Sequence, residues 1–153
     1  MKIKALTTMD IEKILFKDFF TQKCFLGVFP RDEMPSIIFY PSCFIVNTEP
    51  SFKKGEHWLA MYFDKSRNCF FFDSFGHDPS FFNMLNYIKK YSSGIKYNID
   101  CIQDSLSDTC GHYCVFFLVL INRGFSLDRI ISFFYLKYFD LNDFNISFIN
   151  KLI

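Results

Sequence analysis

His57-Trp58-Leu59-Ala60-Met61-Tyr62-Phe63-Asp64-Lys65-Ser66-Arg67-Asn68-Cys69-Phe70-Phe71-Phe72-Asp73 holds two aromatic-rich runs, 57–64 and 69–73, on either side of the polar tetrapeptide 65–68. Aromatic and β-branched residues suit a pleated, half-buried surface, so the stretch reads as an antiparallel hairpin closed by a polar turn. It supplies the centre of a sheet. On its N-terminal side, Thr8 can cap a helix running to about Phe20, where Ile11, Leu15 and Phe19 recur every four residues. A loop follows, and Phe29-Pro30-Arg31-Asp32-Glu33-Met34-Pro35 carries two prolines that break regular structure ahead of extended segments at Ser36–Tyr40 and Ser42–Thr48.

On the C-terminal side, Pro79–Tyr91 has helical spacing in Phe81, Leu85 and Ile88, and a short strand from Ile95 to Ile102 returns to the sheet. Thr109–Asn122 is apolar nearly all round, which marks a buried helix. Amphipathic helices at Ser126–Leu136 and Leu141–Leu152 complete the chain. The expected architecture is one α+β domain over residues 1–153, a central mixed or antiparallel β-sheet flanked by helices.

A compact chain of 153 residues can bury about 70% of the surface its unfolded form exposes. Half the residues are apolar and 23 are phenylalanine, which excludes intrinsic disorder. Seventeen basic and 16 acidic side chains leave a formal charge of +1, so no overall field draws the chain to nucleic acid or to an anionic membrane. The longest apolar run, Tyr113–Ile121, is far short of the roughly 20 residues that cross a bilayer. Met1-Lys2-Ile3-Lys4 leads into polar and acidic residues, unlike a secretion signal. The expected location is nucleus, cytoplasm or a particle assembled there. Such a compartment keeps thiols reduced, so of Cys24, Cys43, Cys69, Cys101, Cys110 and Cys114 five read as buried small hydrophobes and one as chemical.

That one is Cys110. A cysteine attacks a carbonyl as thiolate, and a thiol with a pKa of about 8.5 needs a base, a cation or a helix N-terminus to supply it at neutral pH. Asp108-Thr109 can cap the buried helix and Gly111 follows, so the sulfur of Cys110 meets the positive end of the macrodipole. The same features suit a core cysteine at a helix start. His57 opens one hairpin strand and Asp73 ends the next, and the hairpin sets them side by side, close enough for the carboxylate to orient the imidazole. Taken singly, each also fits a structural role. Gln103, seven positions before Cys110, lies in the loop leading to the helix. With the Cys110 backbone N–H, its amide could bind a developing oxyanion.

The ordered set His57-Trp58, Asp73-Ser74-Phe75-Gly76, Gln103 and Cys110-Gly111 resembles the adenain family, the adenovirus-type cysteine proteases found also in related viruses and large DNA transposons. Phe25-Leu26-Gly27-Val28-Phe29, Ile45-Val46-Asn47-Thr48 and Cys110-Gly111-His112-Tyr113-Cys114 look like segments of the same family, so the resemblance runs from the first helix to about Asn122. More distantly, the order His, Asp, Gln, Cys is that of the SUMO-removing proteases and bacterial deubiquitinating effectors of the same clan. The resemblance implies a thiol protease with its nucleophile at the head of a buried helix. It implies cleavage after glycine, acting on viral or transposon capsid or core precursors, with Trp58 and Gly111 at the substrate groove. Trp58 is equally suited to the core.

Asp73 stands where adenoviral enzymes carry glutamate, as in the SUMO-protease branch, and reaches less far. Adenain is activated by a peptide that can pair with a cysteine upstream of the glutamine, but the comparable stretch here is Tyr91-Ser92-Ser93-Gly94 and holds none. Cys101 is too near Gln103 to replace it. No cofactor is therefore expected to be required, an activating peptide or DNA being raised by the resemblance alone. The expected partner is a protein substrate, and the expected state a monomer.

Beside a degenerate, non-catalytic interaction domain, against which the presence of all four expected polar residues argues, two other readings stay open. One is a deconjugating protease for ubiquitin or a similar modifier. The other is a zinc-binding module built from His57, His77, Cys110 or Cys114, whose spacing matches no familiar finger. His77 and His112 carry no assigned role and are expected at surface or packing positions.

Overall fold

A computed structural model of the chain describes residues 2–134 and 137–149. Five strands form one mixed sheet in the order β1-β2-β3-β4-β5: Phe25–Phe29, Ser42–Asn47, Trp58–Phe63, Asn68–Phe72 and Gly94–Tyr97. The central pairs β2/β3 and β3/β4 are antiparallel, and the outer pairs β1/β2 and β4/β5 are parallel. The helices are α1 (Thr8–Leu15), α2 (Leu85–Tyr91), α3 (Cys110–Ile121), α4 (Leu127–Ile131) and α5 (Phe139–Ile149).

Alternation along the strands sends side chains to two cores. Cys43, Ile45, Ala60 and Phe72 pack with α1 and α3, whereas Phe44, Val46, Leu59, Met61, Phe63 and Phe71 face Met84 and Ile88. α3 is buried along almost its whole length, and the Phe117 ring stacks on Phe72 with centroids 4.8 Å apart. At roughly 1.5–3 kcal/mol for each large apolar side chain buried, this helix is a main anchor of the sheet.

Several boundaries differ from expectation for local reasons. Thr7, not Thr8, caps α1, through a reciprocal box with Asp10. That helix stops at Leu15, and Asp18 then turns the chain by accepting from the Thr21 N–H at 3.1 Å while pairing with Arg123 at 2.6 Å. β1 replaces an expected loop. The segment between Pro35 and Pro41 forms no strand. The helix expected over 79–91 is a 3₁₀ turn, Pro79–Phe82, followed by α2, with Asn83 in left-handed backbone between them (φ 57°). β5 ends at Tyr97, so 98–102 leaves the sheet. Within the described residues α4 ends at Ile131, and the expected helix ends at 135–136 and 150–152 lie outside them. No helix among the described residues is long and apolar enough to cross a membrane.

Candidate active site

The hairpin register sets the first half of the site. Ala60 pairs with Phe72, so the start of β3 and the end of β4 meet at one edge of the sheet. His57 Nε2 there lies 2.6 Å from Asp73 Oδ1. The other ring nitrogen, Nδ1, is not engaged by Asp73, and Cys110 lines the same crevice as the imidazole and favours its charged form. The ring also stacks on Phe75, with centroids 4.9 Å apart. Burial works against a positive charge on His57, but the hydrogen bonds and charges of Asp73 and Cys110 outweigh it and raise its pKa to about 9.

Asp73 is fully buried. Burial opposes its charge too, yet the hydrogen bond and charge of His57, with the N–H groups of Phe75 and His77, hold the carboxyl below the usual carboxylate range. Asn98 fixes the backbone at this point: its Oδ1 accepts the Asp73 N–H at 3.1 Å and its Nδ2 donates to the Asp73 carbonyl at 2.5 Å. Gly76 closes the following turn at φ 77°, and a Cβ there would stand 2.6 Å from the Ile99 carbonyl oxygen. Only glycine lets the 99–100 backbone come so close.

Gln103 comes from that passing segment. The N–H groups of Ile102 and Gln103 both donate to the Ser74 carbonyl, at 2.9 and 3.3 Å, which lashes the segment beside Asp73. Ser74 Oγ donates to Gln103 Oε1 at 2.5 Å, while Gln103 Nε2 donates to the Ser107 carbonyl at 3.0 Å and meets Ser107 Oγ at 3.1 Å. A carbonyl can only accept, so the Ser107 oxygen fixes which end of the amide is nitrogen. The amide that was to hold an oxyanion is thus already bonded to its own loop.

Cys110 is the first residue of α3. Thr109 occupies the cap position but makes no side-chain cap, since its hydroxyl donates to the buried Asp143 at 3.1 Å and contacts Ser107 Oγ at 2.9 Å. The first-turn N–H groups are therefore not occupied by the expected Asp108-Thr109 cap. Tyr113, one turn on, donates to the same Asp143 oxygen at 2.7 Å and ties α3 to α5.

His57, Trp58, Gln103 and Cys110 line one crevice of about 710 Å³, walled also by Gly55, Asn47 and residues 5–7 of the N-terminal segment. Asp73 lies behind His57. Gly111 is not among the residues that line it: a Cβ on it would stand 3.2 Å from Trp58 Cδ1, 3.3 Å from Ile11 Cδ1 and 3.4 Å from Leu6 Cβ, so it serves the close packing of Trp58 and Leu6, which do line the crevice, next to the nucleophile. Trp58 is half-buried and does both things, packing against the α3 core and lining the crevice.

Sequence reasoning passed over Asn98, quoted Ser74 and Asn47 only within family-like segments, and gave His77 no role beyond a zinc module. Asn47 Oδ1 accepts the backbone N–H of Glu49 at 2.9 Å and of Glu56 at 3.3 Å, which shapes the loop before His57. His77 is not a mere surface residue, because its ring bonds Asp73. His112 does fit a packing position: it is 4% exposed, and burial holds its pKa below the ordinary value. All six cysteines are free, and Cys101 is only half-buried, so four of the five expected core thiols are buried. Among the described residues no group of three His, Cys, Asp or Glu side chains could hold a metal ion, which leaves the zinc-module reading without a site.

A thiol at the head of a buried helix, sharing a crevice with an imidazole that a buried carboxylate orients, is the apparatus of a cysteine protease. Comparison with known proteins agrees, since residues 25–129 match the adenovirus endoprotease family, and the chain belongs to that family. The match spans His57, Asp73, Gln103 and Cys110. The fold is similar to a crystal structure of the ASFV pS273R protease, with a TM-score of 0.64 and 17% sequence identity over 99% of this chain and 69% of that one. No curated protein matches the sequence.

Proposed function

We propose that this cysteine endopeptidase cleaves polypeptides after glycine with Cys110 as nucleophile, His57 as base, Asp73 as orienting carboxylate, and Gln103 with the Cys110 N–H as oxyanion donors. The observation that carries the reading is one imidazole held by Asp73 at 2.6 Å on Nε2 in the crevice that Cys110 also lines. His57 takes the thiol proton. The thiolate adds to the carbonyl carbon, and the oxygen gains the charge that the two N–H donors meet. As the C–N bond breaks, His57 passes its proton to the leaving amine, and water then releases the acyl group from sulfur with His57 again as base. Asp73 keeps the proton on Nε2 so that Nδ1 faces sulfur throughout.

Glycine before the cut is what the resemblance to the family implies, and the half-buried Trp58, which lines the crevice together with Cys110, is in keeping with it. The natural substrates we propose are precursor proteins of a virus or transposon, met inside the cell or particle. His57 and Cys110 supply base and nucleophile themselves, so the scheme draws on no metal or organic cofactor. A peptide-library digest tests the reading. The wild-type chain should cut after glycine and Cys110→Ala should not, with neither added peptide nor DNA needed. Activity surviving in Cys110→Ala would refute the assignment. Capture by a vinyl-sulfone probe built on ubiquitin or a related modifier, without cutting of peptides, would replace it by the deconjugating reading.

A further inference from the structure

Asp73 receives two imidazoles. Its Oδ1 faces His57 Nε2 at 2.6 Å and accepts the Phe75 N–H at 3.1 Å. Its Oδ2 accepts the His77 N–H at 3.1 Å and faces His77 Nδ1 at 3.0 Å. Two carboxylate oxygens offer about four acceptor positions, and four donors fill them. An ionised carboxylate can only accept, so the His77 proton must sit on Nδ1.

The second imidazole is delivered by the local fold. Asp73 and His77 are four residues apart, and the turn between them is closed by the Gly76 N–H donating to the Asp73 carbonyl at 2.9 Å. The His77 ring is then held flat on Phe81, with centroids 4.1 Å apart and planes 13° from parallel, and meets Phe82 edge-on at 5.9 Å. Its side chain is 42% exposed, so the ring gains little from burial where it lies, and its bond to Asp73 is its one polar contact to a fully buried group.

We propose that His77 is a positioning residue of the catalytic machinery, its Nδ1–H holding Asp73 Oδ2 so that Oδ1 stays aimed at His57. This rests on the roles given above to His57 and Asp73. An aspartate has one bond fewer than a glutamate with which to reach the imidazole. Its plane is set by whatever holds the far oxygen. With His77 removed, Oδ2 keeps a single N–H donor, and the carboxylate plane is held by three bonds in place of four. His57 then loses the fixed geometry that keeps its Nδ1 toward Cys110.

Second-layer partners that orient the ligands of a metal site typically cost 10- to 100-fold on removal, and His77 stands one layer out from His57 in the same way, so His77→Ala should lower kcat by about tenfold while KM stays within about twofold. His77→Asn is the decisive variant. Its Nδ2 occupies the place of Nδ1 and can donate the same bond, so kcat should return to within about threefold of wild type. A proton resonance for the His57 Nε2–H···Asp73 bond, read by NMR on the uncut chain, should shift in His77→Ala and be kept in His77→Asn. Rates are taken per titrated thiol and melting temperatures recorded, so a folding defect is not mistaken for a kinetic one. Wild-type kcat and resonance in His77→Ala, or a loss in His77→Asn as deep as in His77→Ala, would overturn the proposal. A wild-type chain that cuts no peptide would sink the endopeptidase scheme instead, and the resonance alone would then decide whether His77 holds Asp73.

Discussion

The two halves of the crevice are built differently. The His57–Asp73 half rests on paired strands: the β3/β4 register brings both residues to one edge, and every acceptor position of Asp73 is filled. The Gln103 half rests on 98–109, which contains no helix or strand, and its amide nitrogen is spent on Ser107. The difference separates a part ready before substrate arrives from a part that must exchange a bond. On the roles proposed above, orienting the base is a resting-state property, whereas completing the oxyanion site is a step of the reaction.

The largest effect should come from the ready half. Asp73→Asn preserves shape but puts an NH₂ where an oxygen was, and the backbone N–H groups of Phe75 and His77, one on each oxygen, leave no orientation of the amide without two donors facing each other. We expect kcat to fall by about 10⁴, the size seen when a triad carboxylate becomes an amide. A fall under about tenfold in a peptide assay would show that this half is not what holds the base. Gln103→Ala should cost less, on the order of 10²–10³ in kcat, as for loss of one oxyanion donor. Equal losses at the two positions would erase the distinction.

A pH series sharpens it further. The pKa of His57 rises from 6.5 to about 9 on folding, so its contribution to stability is complete below 6.5 and is lost as the pH climbs through 9. Asp73 is lowered, so its contribution is present above the usual carboxylate range and disappears as acid protonates it. Melting temperature should therefore decline from pH 6.5 to 9 by a few degrees, about 4–8 °C per kcal/mol for small domains and less for a chain of this size. His57→Gln should lack that slope. An unchanged slope in His57→Gln would place its origin elsewhere.

The sequence made the ready half legible and left the other partly hidden. Alternation in 58–63 and 69–72 predicts the hairpin because residues on one face recur at every second position, and the ends of a hairpin must meet. α3 was legible from its unbroken apolar surface. β1 was not, because Gly27 (φ 129°) and the register shift between Phe25 and Val28 disrupt the period of two, and its parallel pairing with β2 leaves no short turn to read. The order His57, Asp73, Gln103, Cys110 pointed to the site, but not to the bonds that arm it. His77 lay in plain view, four residues past Asp73, yet only the Gly76 turn makes that spacing a contact. The Ser107 bond depends on a loop with no periodicity at all, and nothing in a list of residues predicts which acceptor an amide will choose.

Ser107 offers the smallest and most pointed test. Its Oγ accepts from Gln103 at 3.1 Å, donates to the Asp104 carbonyl at 3.0 Å and contacts Thr109 Oγ1 at 2.9 Å. Ser107→Ala removes that acceptor and leaves the Ser107 carbonyl, so Gln103 stays oriented with one N–H released. A net hydrogen bond is worth about 1 kcal/mol, so if Gln103 must give this one up to meet the oxyanion, kcat should rise by up to about fivefold. A fall approaching that of Gln103→Ala would mean the opposite: the bond to Ser107 holds the amide in its working position, and both halves of the crevice are ready before the substrate enters.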